Sequence, residues 1–372
     1  MNSSQVLQVL GQPITLKLSG KIIPNRLYRS ALSEYLGTFD SDNIEANGKP
    51  LPEYANFHKA LADGDVGLIC FGNIPVHRDY LQGPKNVILD ASQVWEPVQA
   101  LAPAIEAAKS KGGICLPQIT FPGRQIPEHL NSTPLSSSDV QLSPCLGMTY
   151  GKPTPLSREG IQDLVKRFAW AAKTLADAGA DGAVIHASHG YIFTQFLSPT
   201  VNRRTDEYGG SLENRARFLL ETVHAIQKEV STDRFVIGVK FNCHDFIEGG
   251  QTFEDECIVF KWLEDAGVDF FDITGGTYAS PAWRGEPLST YADFPSGPPG
   301  EGVFLRWAKE FKKISTRAII GTTGGWRDRH YMERAIRMGE IDMCGFGRPL
   351  QENANFIKDL LLNKERKQER TW

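Results

Sequence analysis

The sequence predicts a single closed (β/α)8 barrel, and three observations carry that expectation. Short apolar or β-branched runs alternate with longer amphipathic stretches along the whole chain, and near-continuous hydrophobic runs suit parallel strands covered on both faces. Eight such runs occur, each followed by a helical pattern or a long connection leading to one, the number at which a strand-then-helix repeat closes on itself. No G-x-G-x-x-G follows the first run, and "GFGRPL" near the end shares only two glycines with it, so the signature of an open, doubly wound dinucleotide fold is missing.

In chain order the strand candidates are "RLYRSAL", "VGLICFG", "GGICLPQI", "GAVIH", "FVIGVKF", "FFDIT", "RAIIGT" and "IDMCGFG". The clearest helix is "SREGIQDLVKRFAWAAKTLADAG", where Ile161, Leu164, Val165, Phe168, Ala172, Leu175 and Ala176 recur at helical spacing, which makes one face apolar. Ser157 is placed to cap its start and Gly179 to stop it. Ser211 opens "SLENRARFLLETVHAIQKEV", Thr252 opens "TFEDECIVFKWLEDAG", and "DRHYMERAIRMG" closes on Gly339, each with the same logic of a hydroxyl start or a glycine stop.

No repeat or low-complexity linker divides the chain, so residues 1–372 read as one domain with a charged tail from about residue 362 exposed. The long gaps "HRDYLQGPKNVILD", residues 119–156, and "PAWRGEPLSTYADFPSGPPGEG" all follow strands. In a barrel this puts them on the C-terminal face, where loops shape substrate.

Bulk properties exclude several classes. The apolar fraction of 41% with 35 Gly and 22 Pro suits a compact, loop-rich protein. A net charge of −4 and a pI near 6.1 with no dominant basic run argue against nucleic acid or an anionic membrane as partner. The six cysteines show no C-x-x-C or framework spacing, which reads as reduced structural thiols. The start "MNSSQVLQVLGQPI" lacks a signal-peptide pattern and no 18-residue apolar stretch occurs, so a cytoplasmic protein is expected.

The chemistry concentrates in "IHASHGYIFTQF", residues 185–196. If "GAVI" is the fourth strand, His186 ends it and His189 follows in the turn above, so both face the mouth. Two imidazoles there can donate to one oxygen, with oxyanion-hole logic worth ~3 kcal/mol per donor, and Tyr191 offers a phenolic proton nearby. That set suits hydride addition to a conjugated carbonyl. A metal reading needs a third ligand, for which His244 or Asp245 is available. Hydride needs a carrier, since no side chain transfers it. "GTTGGW" and "GFGRP" bring Gly324, Gly325 and Gly347 to the last two strand ends, with Arg348 adding charge, and bare amides there bind one phosphate. Lys240 ends strand five; a flavin, a Schiff base or an ion pair with Asp272 or Asp245 would each give it a purpose. Gln118, ending strand three, could hold a planar heterocycle or cap its strand.

At this point the chain resembles the Old Yellow Enzyme family of FMN-dependent oxidoreductases, in particular its fungal NADH:flavin oxidoreductase-like branch. "HASHGYIFTQFLSPTVNRRTDEYGGSLENRARF" is similar to the family's signature, and "PNRLYRSALSE", "QITFPGRQ", "GVKFNCHDFIEGG", "ITGGTY", "TTGGW" and "GFGRP" resemble its other blocks in order, over about residues 10–360. The resemblance implies FMN at the barrel mouth, reduced by NADPH or NADH and reoxidised by a small-molecule enone, quinone or oxygen. His186 and His189 would bind the substrate carbonyl and Tyr191 would donate the proton. Ser30, Ala31 and Ser33 would line the flavin, Asn73, Gln118 and His186 contact its ring, Lys240 its N1/O2 edge, and Gly324, Gly325, Gly347 and Arg348 the phosphate.

Two departures stand out: Phe121 where the family often has histidine, and Lys240 where many members carry arginine, which offers a bidentate fork that lysine lacks. Asn202, Arg204, Asp206, Tyr208, Glu213, Asn214 and Arg217 are also family-like and read as a charged network bracing the loop and helix after strand four. The resemblance also makes Arg370 a candidate to reach a neighbouring copy's site, should the chain form a homo-oligomer. The alternatives are a flavin-dependent isomerase or dehydrogenase of a secondary metabolite, and a metal-dependent barrel hydrolase using His186, His189 and His244.

Overall fold

The computed structural model describes residues 9–284 and 300–363. Arg370, the charged tail and most of the segment after the sixth strand lie outside the described residues. All eight expected strands form: β1 (Leu27–Arg29), β2 (Leu68–Ile69, continued by Ile74–Pro75), β3 (Ile114–Cys115, continued by Gln118–Thr120), β4 (Gly182–Ala187), β5 (Val236–Asn242), β6 (Phe270–Thr274), β7 (Ile319–Thr323) and β8 (Met343–Phe346). Each pairs in parallel with the next, and β8 returns to β1. Strand β3 closes the ring: Ile114 and Cys115 pair with Leu68 and Ile69, and Gln118 sits beside Val184.

The helices follow the strands: α1 (Pro52–Asp63), α2 (Pro97–Lys109), α3 (Arg158–Asp177), the short α4 (Ile192–Leu197), α5 (Leu212–Glu229), α6 (Phe253–Asp265), α7 (Leu305–Ile314), α8 (Arg329–Arg337), α9 (Arg348–Glu352) and α10 (Phe356–Leu361). The caps expected from sequence are in place. Ser157, Ser211 and Thr252 accept from the backbone amides of Gly160, Asn214 and Asp255. Gly179 and Gly339 take the left-handed turns with φ of 91° and 69°, where a side chain would be strained. Among the described residues no helix is long and apolar enough to cross a membrane.

An antiparallel hairpin, Ile14–Thr15 with Ile22–Ile23, seals the end of the barrel opposite the site. Its Leu16 and Ile23 are fully buried against Tyr28, Leu68, Ile114, Val184, Val236, Phe270, Ile319 and Met343. The Leu18 amide donates to Asp269 at 3.1 Å and the Lys21 ammonium to Asp181 at 2.9 Å, both just before their strands begin.

The polar segment after β4 is a brace, as its composition suggested. Arg204 donates to both oxygens of Asp206 at 2.9 and 2.5 Å and to the Leu156 carbonyl at 2.6 Å. Asn202 holds the carbonyls of Phe196 and Tyr208, both at 2.7 Å. This fixes α4 beside the mouth and with it the backbone that carries Tyr191.

Candidate active site at the barrel mouth

The parallel register aligns His186 with Lys240 and Lys240 with Asp272, so the ends of β4, β5 and β6 present these three side chains to one layer of the interior. Lys240 Nζ lies 2.6 Å from Asp272 Oδ2 and 2.5 Å from Ser30 Oγ. Of the two ion-pair partners considered for the lysine, Asp272 is the one it meets. Asp272 also accepts from Ser30 Oγ at 2.6 Å, Tyr28 OH at 2.6 Å and Thr323 Oγ1 at 2.8 Å. Burial alone would push this carboxyl up, but Lys240 and the hydroxyls hold it below its ordinary value. Tyr28 reaches across the barrel because β7 and β8 offer glycines. A Cβ on Gly321 would lie 2.7 Å from its ring, and one on Gly345 would lie 2.4 Å from it.

Above this floor sit the imidazoles. The ring of His186 is 5.5 Å from that of His189 and 4.1 Å from that of Tyr191. The Ser188 amide faces His186 Nδ1 at 3.4 Å, which makes Nδ1 the acceptor and leaves the proton on Nε2. His189 adopts a left-handed φ of 59° between Ser188 and Gly190. Its amide donates to Asn242 Oδ1 at 3.0 Å, and its Nε2 meets Thr274 Oγ1 at 2.9 Å. Burial, reinforced by the Lys240 charge, holds both imidazoles well below their usual pKa, so both are neutral near pH 7. Burial pushes the Tyr191 phenol well above its usual value, which keeps its proton in place.

A row of amides runs along the neighbouring wall. Gln118 Nε2 donates to Asn73 Oδ1 at 2.5 Å, Asn73 Nδ2 donates to Gln82 Oε1 at 2.6 Å, and Ser33 Oγ donates to the same oxygen at 2.7 Å. Gln118 Oε1 is buried with no partner in the protein, an uncommon and costly state unless a ligand supplies a donor. Opposite, Gly324 and Gly325 follow β7 with φ of 132° and 73°, and Gly347 precedes α9. The nearest atom to a Cβ on Gly347 would be Leu32 Cδ2 at 3.9 Å, so the backbone there faces open space. Arg348 begins that helix as an exposed residue, and Ala31 is half-buried at the end of β1.

The structure thus gathers Ser30, Ser33, Asn73, Gln118, His186, His189, Tyr191 and Lys240 around one mouth, with the glycines at its rim. Sequence reading missed four residues. Gln82 comes from the loop after β2. Thr274 ends β6, and Tyr278 and Trp283 follow it. Tyr191 OH lies 3.0 Å from Tyr278 OH, and the His189 ring is 4.5 Å from that of Trp283. Leu142 and Tyr150 of the loop after β3 share a buried apolar cluster with the two tyrosines. Tyr278 stood within the quoted "ITGGTY", but nothing local tied it to Tyr191, 87 positions away. Phe121 is fully buried, its ring 4.6 Å from that of Tyr80, so the change from histidine is absorbed by an aromatic cluster. His244 turns its Nδ1 to the Phe246 amide at 2.7 Å. Among the described residues no three His, Cys, Asp or Glu side chains converge as metal ligands would.

The space framed by an unpaired amide oxygen, a cation and bare glycine backbone suits a planar ring with a phosphate tail, the form of a carrier for hydride, which no side chain transfers. The class is therefore a flavin-type barrel oxidoreductase. Residues 10–368 match the NADH:flavin oxidoreductase / NADH oxidase family. The chain is 31% identical over 358 residues to the NADH-dependent flavin oxidoreductase nadA of Aspergillus parasiticus, covering 95% of this chain and 79% of that one. Among solved structures, a 2-naphthoyl-CoA reductase complex superposes with a TM-score of 0.82 at 25% identity, over 96% of this chain and 52% of that one. The Old Yellow Enzyme homologue of Zymomonas mobilis shares the fold, with a TM-score of 0.75 at 22% identity over 96% of this chain and 93% of that one.

The chain belongs to the NADH:flavin oxidoreductase / NADH oxidase family and has fungal relatives. It is an FMN-dependent oxidoreductase that takes its electrons from NADH or NADPH. The unpaired Gln118 Oε1 and the open backbone at Gly347 fit that cofactor.

Proposed function

We propose that this enzyme reduces the carbon–carbon double bond of an α,β-unsaturated carbonyl compound, or a quinone of similar shape. FMN when bound supplies the hydride, accepted from the nicotinamide and delivered to the β-carbon. Gln118, Asn73 and His186 hold the ring of the cofactor; Ser30, Ala31 and Ser33 line it, and Lys240 faces its pyrimidine edge. Gly324, Gly325, Gly347 and Arg348 take the phosphate.

The observation that carries this reading is a cluster of two neutral imidazoles, one buried and one half-buried, with a buried phenol: His186 lies 5.5 Å from His189 and 4.1 Å from Tyr191, centroid to centroid. His186 presents the Nε2 proton. His189, with Nε2 engaged by Thr274, presents Nδ1. Each donates one hydrogen bond to the carbonyl oxygen and stabilises the charge that grows there. Tyr191 then gives its proton to the α-carbon.

Replacing Tyr191 by Phe tests this directly. In anaerobic stopped-flow, FMN reduction by NADPH or NADH in Tyr191→Phe stays within about twofold of wild type, while reoxidation by 2-cyclohexen-1-one slows by roughly 100-fold or more. Equal loss in both half-reactions would refute the assignment.

A further inference from the structure

Asn242 ends β5 two residues after Lys240, so the two share the inward face of that strand. It is fully buried between the turns that leave β4 and β6. Its Oδ1 accepts from the His189 amide at 3.0 Å, and its Nδ2 donates to the Gly276 carbonyl at 3.1 Å and to Asp245 Oδ1 at 3.2 Å. A backbone N–H only donates and a backbone carbonyl only accepts, so each end of this amide has one possible sense. An ionised aspartate would lack the donor, and a leucine would lack both.

The turn it holds is an unfavourable one. His189 has φ of 59° and Gly190 has φ of 85°, and a side chain enters that region only where its surroundings impose it. On the other side, Gly276 has φ of 91°, its amide donates to the His244 carbonyl at 2.9 Å, and Thr277 next to it pairs with His189 in an isolated bridge. The turn that carries His189 and the turn that leads to Tyr278 therefore lie side by side. One amide side chain is bonded to both.

We propose that Asn242 is a positioning residue for the carbonyl-binding imidazole. By anchoring the His189 N–H to β5 it fixes the left-handed turn. That keeps the His189 ring 5.5 Å from His186 with Nε2 on Thr274, and so leaves Nδ1 for the acceptor oxygen. Through Gly276 the same side chain sets this turn against the loop that bears Tyr278 and Trp283, so the donor pair and the aromatic wall beside it keep one register. The inference rests on His189 binding the acceptor carbonyl.

The test compares Asn242→Leu, Asn242→Asp and His189→Ala as FMN-loaded enzymes, reduced with dithionite and reoxidised anaerobically by 2-cyclohexen-1-one, each rate divided by that of wild type at the same pH. Leucine is close in volume and makes neither bond, so kcat/KM for the enone falls about tenfold or more at every pH between about 5.5 and 8.5. Aspartate separates bonding from shape. Ionised, it still accepts from His189 but turns a negative oxygen to the Gly276 carbonyl and Asp245; protonated, its O–H can donate to Gly276 as the amide did. The groups around position 242 are Asp245 with Glu256 beyond it, His244, His189 and, one layer below, Lys240. Burial beside two carboxyl groups raises the pKa of a new one. Asn242→Asp is therefore slow at high pH and returns to within about threefold of wild type as pH falls through that raised pKa. A role in packing alone would lower FMN content in Asn242→Leu and leave Asn242→Asp level with wild type at every pH, which would overturn the inference. A leucine variant as fast as wild type would overturn it too, because the limb in Asn242→Asp would then report charge and not position. If His189→Ala is slow while both Asn242 variants match wild type, the inference falls and the carbonyl-binding reading stands. If His189→Ala matches wild type, that reading falls first. Should Asn242→Leu fail to fold, Asn242→Ala deletes the same bonds and takes its place.

Discussion

His186 and His189 are held in the neutral form, and their environment explains why. Burial removes the water that would solvate an imidazolium, and the Lys240 charge adds to the penalty. Both pKa values are lowered, so the charged form gains only as pH falls well below the usual histidine range. We expect imidazole 15N chemical shifts of these two residues to stay at neutral values between about pH 7.5 and 5.5, whereas an exposed histidine titrates near 6.5. A titration of either ring within that window would contradict this environment. Lys240 and Asp272 raise a second expectation at this scale. Removing one member of a buried pair leaves the other uncompensated, so Lys240→Met destabilises the protein by about 3–5 kcal/mol in urea unfolding. The side-chain types were legible here. The choice of Asp272 over Asp245 was not, because it depends on which strand lies next to β5 and in what register.

At the scale of elements, strands, caps and stops could be read because they are local. Ser157, Ser211 and Thr252 cap helices through amides three residues ahead, a distance any window of sequence contains. The glycines of β7 and β8 are different. Gly321 and Gly345 lie in strands, where glycine costs backbone entropy, and their reason is the Tyr28 ring brought against them from β1. Gly345→Ala would place a methyl group 2.4 Å from that ring and 2.1 Å from Thr323 Oγ1. It should cost about 1–3 kcal/mol, measured by thermal melting, and displace the phenol from Asp272. An unchanged melting temperature would mean that Tyr28 is not wedged against this strand.

For the whole molecule, the hairpin before β1 is the part that pattern reading passed over. Its two strands of two residues each are too short to carry a periodicity, yet Leu16 and Ile23 close the barrel floor. Leu16→Ala should destabilise by about 2–5 kcal/mol in chemical unfolding while the rate of FMN reduction stays at the wild-type value, because the plug lies at the end of the barrel away from the mouth. A slowed reduction would show that the two ends are coupled.

By itself, the order of residues determined that eight parallel strands would alternate with helices, and that imidazoles, phenol, lysine and glycines would stand at strand ends. Both follow from near-neighbour spacing: hydrophobic period, cap chemistry and the run of residues that ends each strand. Which of those ends face each other was decided by the closed sheet. Only there do Tyr191 and Tyr278 touch, does Asp272 meet Lys240, and does Gln82 complete a row of amides, because such contacts join residues tens to hundreds of positions apart. Their energy depends on burial and register, which the chain acquires only as the barrel closes.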